Sequence, residues 1–170
     1  MVELIEVIPG QVPLVTAQQL FDWCRVDVYA ETPEEDENYE TLVFCLDAAV
    51  GEAEAILGFD LVPKKYKETF NQSAYDFELS KANVATINTV SSDVDYITER
   101  DEYVTTLSFE TYVNDLVVEY TTGLSTIPND ILMALRKLVK YYYDNRENEG
   151  RKMLTSVEII LMRHKIFRLG

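Results

Sequence analysis

Histidine occurs once in these 170 residues, tryptophan once, cysteine twice and glycine six times. Each scarcity removes a class of chemistry. His164 with Cys24 and Cys45 makes no cluster at zinc spacing, and two cysteines are too few for a disulfide scaffold. In a reducing compartment both thiols serve as small apolar side chains. The glycines form neither a phosphate-cradling loop nor a nucleophile elbow around a serine. The acidic run at residues 34–37 lacks the glycine and the alternating ligands of a calcium loop. No apolar stretch approaches the roughly 20 residues of a membrane span. The start, MVELIEVIPG, has no basic segment leading into an apolar one, so a soluble intracellular chain is expected. Among 30 carboxylates, pairs suited to acid–base work arise by number alone and decide nothing. An enzyme is therefore not expected, nor any cofactor or metal.

Basic residues are the other shortage. Fifteen Lys and Arg face 30 Asp and Glu, a net charge of −15. The imbalance is uneven. Residues 1–128 hold 6 basic and 25 acidic side chains, and residues 129–170 hold 9 and 5. The first part would repel a phosphate backbone, which needs a cation at each contact. It suits a surface that DNA passes without sticking. The second part could attract the acidic face of a neighbour.

What is present points to a folded globule: 47% of the residues are hydrophobic and 11% aromatic. Thr16 and Gln19 form a capping box ahead of Leu20, Trp23 and Cys24, predicting a helix over about 17–24. An acidic loop with Pro33 follows. Leu42, Leu46, Ala49, Ala53 and Ile56 recur at helical spacing over about 37–57, with Gly58 as a C-cap. Residues 64–123 change character, with Val, Thr, Ile and Tyr between turn residues, and read as a small antiparallel sheet. Pro128 with Asn129 or Asp130 starts another helix, in which Ile131, Leu135, Leu138, Val139 and Tyr142 make the buried stripe. Arg136, Lys137 and Lys140 lie toward its outside. After Gly150 a short amphipathic or extended tail carries Val157, Ile160 and Leu161 with Arg163, His164, Lys165 and Arg168. The expected fold is α+β, mainly α: a single domain over 1–170 whose helical frame (14–58 and 128–148) carries an inserted sheet (64–123) and a C-terminal docking segment (151–170).

Several stretches in this order carry a resemblance. VTAQQLFDWCRVD, then LVFCLDAAVGEAEAILGFDL, then VVEYTTGLSTIPNDILMALRKLVKYYYDNRE resemble the small head–tail connector proteins of long-tailed double-stranded DNA bacteriophages, also called adaptor, head-completion or DNA-packaging proteins. The third stretch matches that family's strand ending in Tyr-Thr-x-Gly, a short link with proline, and an apolar helix closing on a Tyr-x-Asn-Arg-Glu signature. The tail SVEIILMRHKIFRL is similar to the family's terminal segment. The acidic loop at 31–38 is longer than usual, and the middle strands lack the proline-rich turns of many members.

The resemblance implies a virion protein of the neck that forms a ring, usually twelvefold, beneath the portal. Such a ring extends the DNA channel without binding DNA specifically, and offers a platform for a stopper or tail-completion protein. It implies no catalysis, cofactor or membrane. In a ring each subunit buries two different faces. Tyr141, Tyr142 and Tyr143 point about 100° apart on a helix, so Tyr142 continues the internal stripe and Tyr141 or Tyr143 is expected at a neighbour. Arg146 is expected to pair with a carboxylate at the helix end. Arg163, His164, Lys165, Phe167 and Arg168 are the expected docking residues for portal or neighbour, and Glu34, Glu35 and Asp36 the expected channel-facing acids. Twelve copies would confine a charge on the order of −180, so isolated rings are expected to be weak or salt-dependent, with stable assembly on the portal. The alternative reading is a monomeric phage or prophage module that binds one protein partner.

Overall fold

A computed structural model describes residues 1–7, 15–101, 104–145 and 155–166. The chain forms two compact units. One comprises the described residues of Val12–Leu57 and Ile127–Lys165, the other those of Met1–Gln11, Gly58–Thr126 and Ile166–Gly170.

The first unit is helical. Helix α1 spans Ala17–Cys24, α2 Tyr39–Leu57, α3 Asn129–Asp144 and α4 Thr155–Met162, with a short 3-10 turn at Pro33–Glu35. The capping box forms in full: the Gln19 N–H donates to Thr16 Oγ1 at 3.2 Å, and the Thr16 N–H to Gln19 Oε1 at 2.8 Å. Arg25, at φ 57°, turns the chain out of α1. Helix α2 packs against α3, and α4 packs on both. The facing positions are small where the axes approach, since Ala49, Ala53 and Ala134 are fully buried. On α3 the buried stripe is Ile131, Ala134, Leu135, Leu138, Val139 and Tyr142. On α2 Leu42, Ala49 and Ala53 are buried as expected, and Cys45, Val50 and Leu57 complete the stripe in place of the half-buried Leu46 and Ile56.

The second unit corrects the expectation of a mainly helical protein with one inserted sheet. Over the described residues 36% are helical and 31% strand, and the strands make two antiparallel sheets. The strands are β1 (Val2–Val7), β2 (Lys64–Phe70), β3 (Ala74–Glu78), β4 (Val84–Val90), β5 (Tyr96–Arg100), β6 (Thr105–Val113) and β7 (Leu116–Thr122). One sheet has the order β1-β2-β7-β4 and the other β3-β6-β5. Sheet is therefore not confined to an insertion, because β1 comes from the chain's start. Its signal was faint for a physical reason. An edge strand that buries almost nothing can alternate Glu with Leu and Ile, and five of the six β1 residues are exposed.

Strand β7 organises this unit. Leu116, Val118, Tyr120 and Thr122 point inward while the residues between them are half-buried, and β7 pairs along its length with both β2 and β4. Phe77, Leu79, Leu107 and Phe109 complete the core, with Phe77 edge-on to Phe109 at 5.8 Å. Two carboxyl groups are enclosed with it. Glu68, 2% exposed, accepts from the Ser80 N–H at 3.0 Å, the Tyr120 hydroxyl at 3.0 Å and the Ser80 hydroxyl. Asp60 accepts from the Thr122 hydroxyl at 2.7 Å, Lys64 Nζ at 2.8 Å and the Tyr66 hydroxyl at 3.3 Å. Burial and then the neighbouring Glu68 push the Tyr120 phenol well above its ordinary pKa, so it remains a hydrogen-bond donor.

Those contacts give residues 120–123 a structural meaning, with Thr122 at the variable position of Tyr-Thr-x-Gly. Tyr120 holds Glu68, Thr122 holds Asp60, and Gly123 at φ +106° lies so close to the Pro63 backbone that a Cβ would sit 2.9 Å from it. Gly123→Ala should lower the unfolding free energy by about 1–3 kcal/mol, read by urea denaturation. Thr122→Val, which leaves one Asp60 oxygen short of a donor, should cost a similar ~1–3 kcal/mol. Changes below about 0.5 kcal/mol in both, the usual scale of a surface substitution, would contradict this account of the stretch.

Candidate functional site

The helical unit presents two surfaces of opposite charge. The first lies on the outer side of α3, opposite its buried stripe. Met133, Arg136, Lys137, Lys140, Tyr141 and Asp144 recur there at three- and four-residue spacing. With Trp23 and Arg25 from the end of α1 and Asn145 from the end of α3, they line a groove of about 650 Å³. Lys140 ties its two walls together: Nζ donates to the Cys24 carbonyl at 3.3 Å and to Asp144 at 2.8 Å. That leaves Arg25, Arg136 and Lys137 exposed and, among the described residues, without an ion-pair partner. Met133, 55% exposed, and the half-buried Trp23 and Tyr141 supply apolar surface beneath the cations. Burial raises the Cys24 thiol to about 11, so it stays protonated and inert behind the groove.

The second surface is the acidic segment around the 3-10 turn. Glu31, Glu34, Glu35 and Glu37 are exposed, whereas the Asp36 side chain turns inward and is 7% exposed. Asp36 accepts from the Tyr29 N–H at 2.8 Å, the Asn38 N–H at 2.9 Å and the Asn38 side-chain amide at 3.1 Å. The Tyr29 bond first, then those of Asn38, hold its pKa below the usual carboxylate value. Asp36 thus folds the loop, and its neighbours display the charge. Tyr143 approaches the same segment, its hydroxyl donating across a long 3.5 Å to Asn38 Oδ1.

The C-terminal residues expected to dock also separate. His164 Nε2 meets Asp130 Oδ2 at 2.5 Å and so joins the end of α4 to the start of α3. This contact is the first cause of a lowered Asp130 pKa. Arg163 is exposed and Lys165 half-buried. Arg146, Phe167 and Arg168 lie outside the described residues. Sequence reasoning placed Arg136, Lys137 and Lys140 on the outside of α3 but assigned them no role. Their spacing with Tyr141 was visible, but the contribution of Trp23 and Arg25, over a hundred residues away, was not. The aromatic outer face of the three-stranded sheet was also missed. There the Tyr75 and Tyr112 rings lie 4.0 Å apart, and Ile97 is exposed, while Tyr96, on the opposite face of β5, packs its ring 5.7 Å from that of Phe109. Among the described residues no group of three His, Cys, Asp or Glu could hold a metal ion, and no helix is long and apolar enough to cross a membrane.

The depressed Asp36 pKa fixes the sign of a pH effect. A carboxyl group with a lowered folded-state pKa contributes stability above its unfolded value, and that contribution fades as pH falls through the folded value. Asp36→Asn should be less stable than the parent chain at pH 7, and the gap should close as pH drops below about 4. Thermal melts across pH 2–7 read this out. A gap that stays constant with pH would contradict it.

No protein-family model and no curated protein matches this sequence. Solved structures do share the fold. A chain from the neck of an empty gene transfer agent (GTA) particle, in a C6-symmetric structure, has a TM-score of 0.80 at 15% identity, over 100% of this chain and 97% of that one. A chain from the virion of a native gene transfer agent particle has a TM-score of 0.75 at 16% identity, with the same coverage. One from the neck of a native GTA particle with C12 symmetry has a TM-score of 0.73 at 16% identity, again over 100% and 97%. The head–tail connector resemblance read from the residues thus meets a full-length fold match: this chain has the fold of a chain found in the neck of gene transfer agent particles.

Proposed function

We propose that this protein is a structural component of the neck of a phage-like particle, a head–tail adaptor. Copies of it form a ring beneath the portal, extend the channel for the genome and seat the stopper or tail-completion protein. The observation that carries the reading is the fold match over the whole chain to neck chains in C6- and C12-symmetric assemblies. Two features of this chain support it. Acidic residues outnumber basic ones two to one, a balance that lets DNA pass without adhering. The helical unit also carries two unlike surfaces, which a head-to-tail ring requires. The role involves no catalysis.

In this reading Arg163, Lys165, Phe167 and Arg168 dock to the portal or a neighbour, and His164 positions them through Asp130. Tyr141 and Tyr143 flank the contacts made by α3, and Arg146 anchors its end. Particles made without the protein should accumulate as heads that lack tails and lose their DNA. Adding purified protein to those heads should restore tail attachment. Tailed, DNA-filled particles formed in its absence would contradict the proposal. Arg163→Glu combined with Arg168→Glu should reduce incorporation into particles by roughly tenfold or more, the scale of losing close interfacial charge pairs. Incorporation at the parent level would remove the C-terminal segment from the docking surface.

A further inference from the structure

We infer that the cationic groove on α3 receives the acidic 3-10 segment of a second copy of this chain, with Arg136 and Lys137 facing Glu34 and Glu35 across the boundary between subunits. The inference rests on the ring reading and supplies its contact.

Four observations carry it. The groove concentrates cations in a chain that has few: Arg25, Arg136, Lys137 and Lys140 line it against a single acid, Asp144, which Lys140 already engages. Arg25, Arg136 and Lys137 have no ion-pair partner among the described residues, in a protein with twice as many acids as bases. The acidic segment has the complementary form. Asp36 is consumed in holding the loop, and four glutamates are displayed around it. Finally, the two surfaces border different sides of α3. Tyr141 lines the groove, while Tyr143, about 200° further round α3, faces Asn38 beside the acidic segment. One copy therefore cannot satisfy its own pair through the two sides of α3. Unlike patches on different faces of one subunit are what a heterologous, ring-forming contact needs. Trp23, Met133 and Tyr141 add to the groove the aromatic and methionine surface in which protein interfaces are enriched. The contact places Glu34 and Glu35 at the subunit boundary and removes them from the channel lining.

Charge reversal on each side tests this, with self-association of the full-length chain measured by sedimentation velocity at low salt. Arg136→Glu with Lys137→Glu should weaken association at least tenfold, and so should Glu34→Lys with Glu35→Lys. A chain carrying all four substitutions should recover association to near the parent level. The pairing of outcomes is diagnostic, because the two double variants shift net charge by four units in opposite directions. If overall repulsion alone governed assembly, the first would associate less and the second more. That opposite-sign pattern overturns the groove contact, as does association unchanged in either double variant, the result expected if Glu34 and Glu35 line the channel. A parent chain that stays monomeric at high concentration and also fails to assemble as a ring on purified portal overturns the ring reading itself. All four substituted positions are exposed, and circular dichroism confirms folding. The neutral versions, Arg136→Ala with Lys137→Ala and Glu34→Gln with Glu35→Gln, should each weaken association in the same direction by a smaller factor.

Discussion

The β-unit rests on one constraint: two carboxyl groups inside it must be surrounded by donors. An enclosed carboxylate without partners costs several kcal/mol, and Glu68 and Asp60 avoid that through Tyr120, Ser80, Thr122, Tyr66 and Lys64. Two of those donors alternate on β7, which has to run between β2 and β4 for the geometry to hold. Gly123 then has to pass over Pro63 with no side chain. Register, core and the exit from β7 are consequences of the same requirement. A one-residue slip of β7 would turn Tyr120 and Thr122 outward and strand both acids.

The helical unit meets its excess of acid differently. It keeps most carboxylates in solvent and uses a few polar contacts to join its parts. Lys140 reaches the end of α1, His164 reaches the start of α3, and Asp36 closes the acidic loop on its own backbone. Each of these is modest in energy because each is partly solvated. Their effect is positional. They hold a cationic face and an acidic face beside different sides of α3.

Much of this was legible in the residues. The capping box of Thr16 and Gln19 named the start of α1, and the apolar stripe of α3 emerged with Tyr142 at its end, because helical spacing and caps are local signals. The sheet was less legible. Strands β1 and β3 are short, exposed and rich in charge, so alternation could not separate them from loop, and the division into two sheets depends on pairings far apart in sequence. Among 30 acidic residues nothing local distinguishes Glu68, which is enclosed, from Glu34, which is displayed. Asp36 shows the same limit, since it sits in an acidic run yet points into the protein. The Tyr-Thr-x-Gly stretch was visible as a resemblance, and two of its positions have a physical reason here, Tyr120 in Glu68 and Gly123 in the close Pro63 backbone, whereas the Asp60 contact belongs to Thr122 at the variable position.

Four of the chain's fifteen basic residues line one groove beside aromatic rings, on a fold shared with neck chains of gene transfer agent particles. The most direct measurement is a cryo-EM reconstruction of the purified chain bound to its portal. The account predicts a closed ring with rotational symmetry in which the outer face of α3 of each copy meets the acidic segment of the next. Isolated copies scattered on the portal, or a closed ring in which α3's outer face is open to solvent, would contradict it.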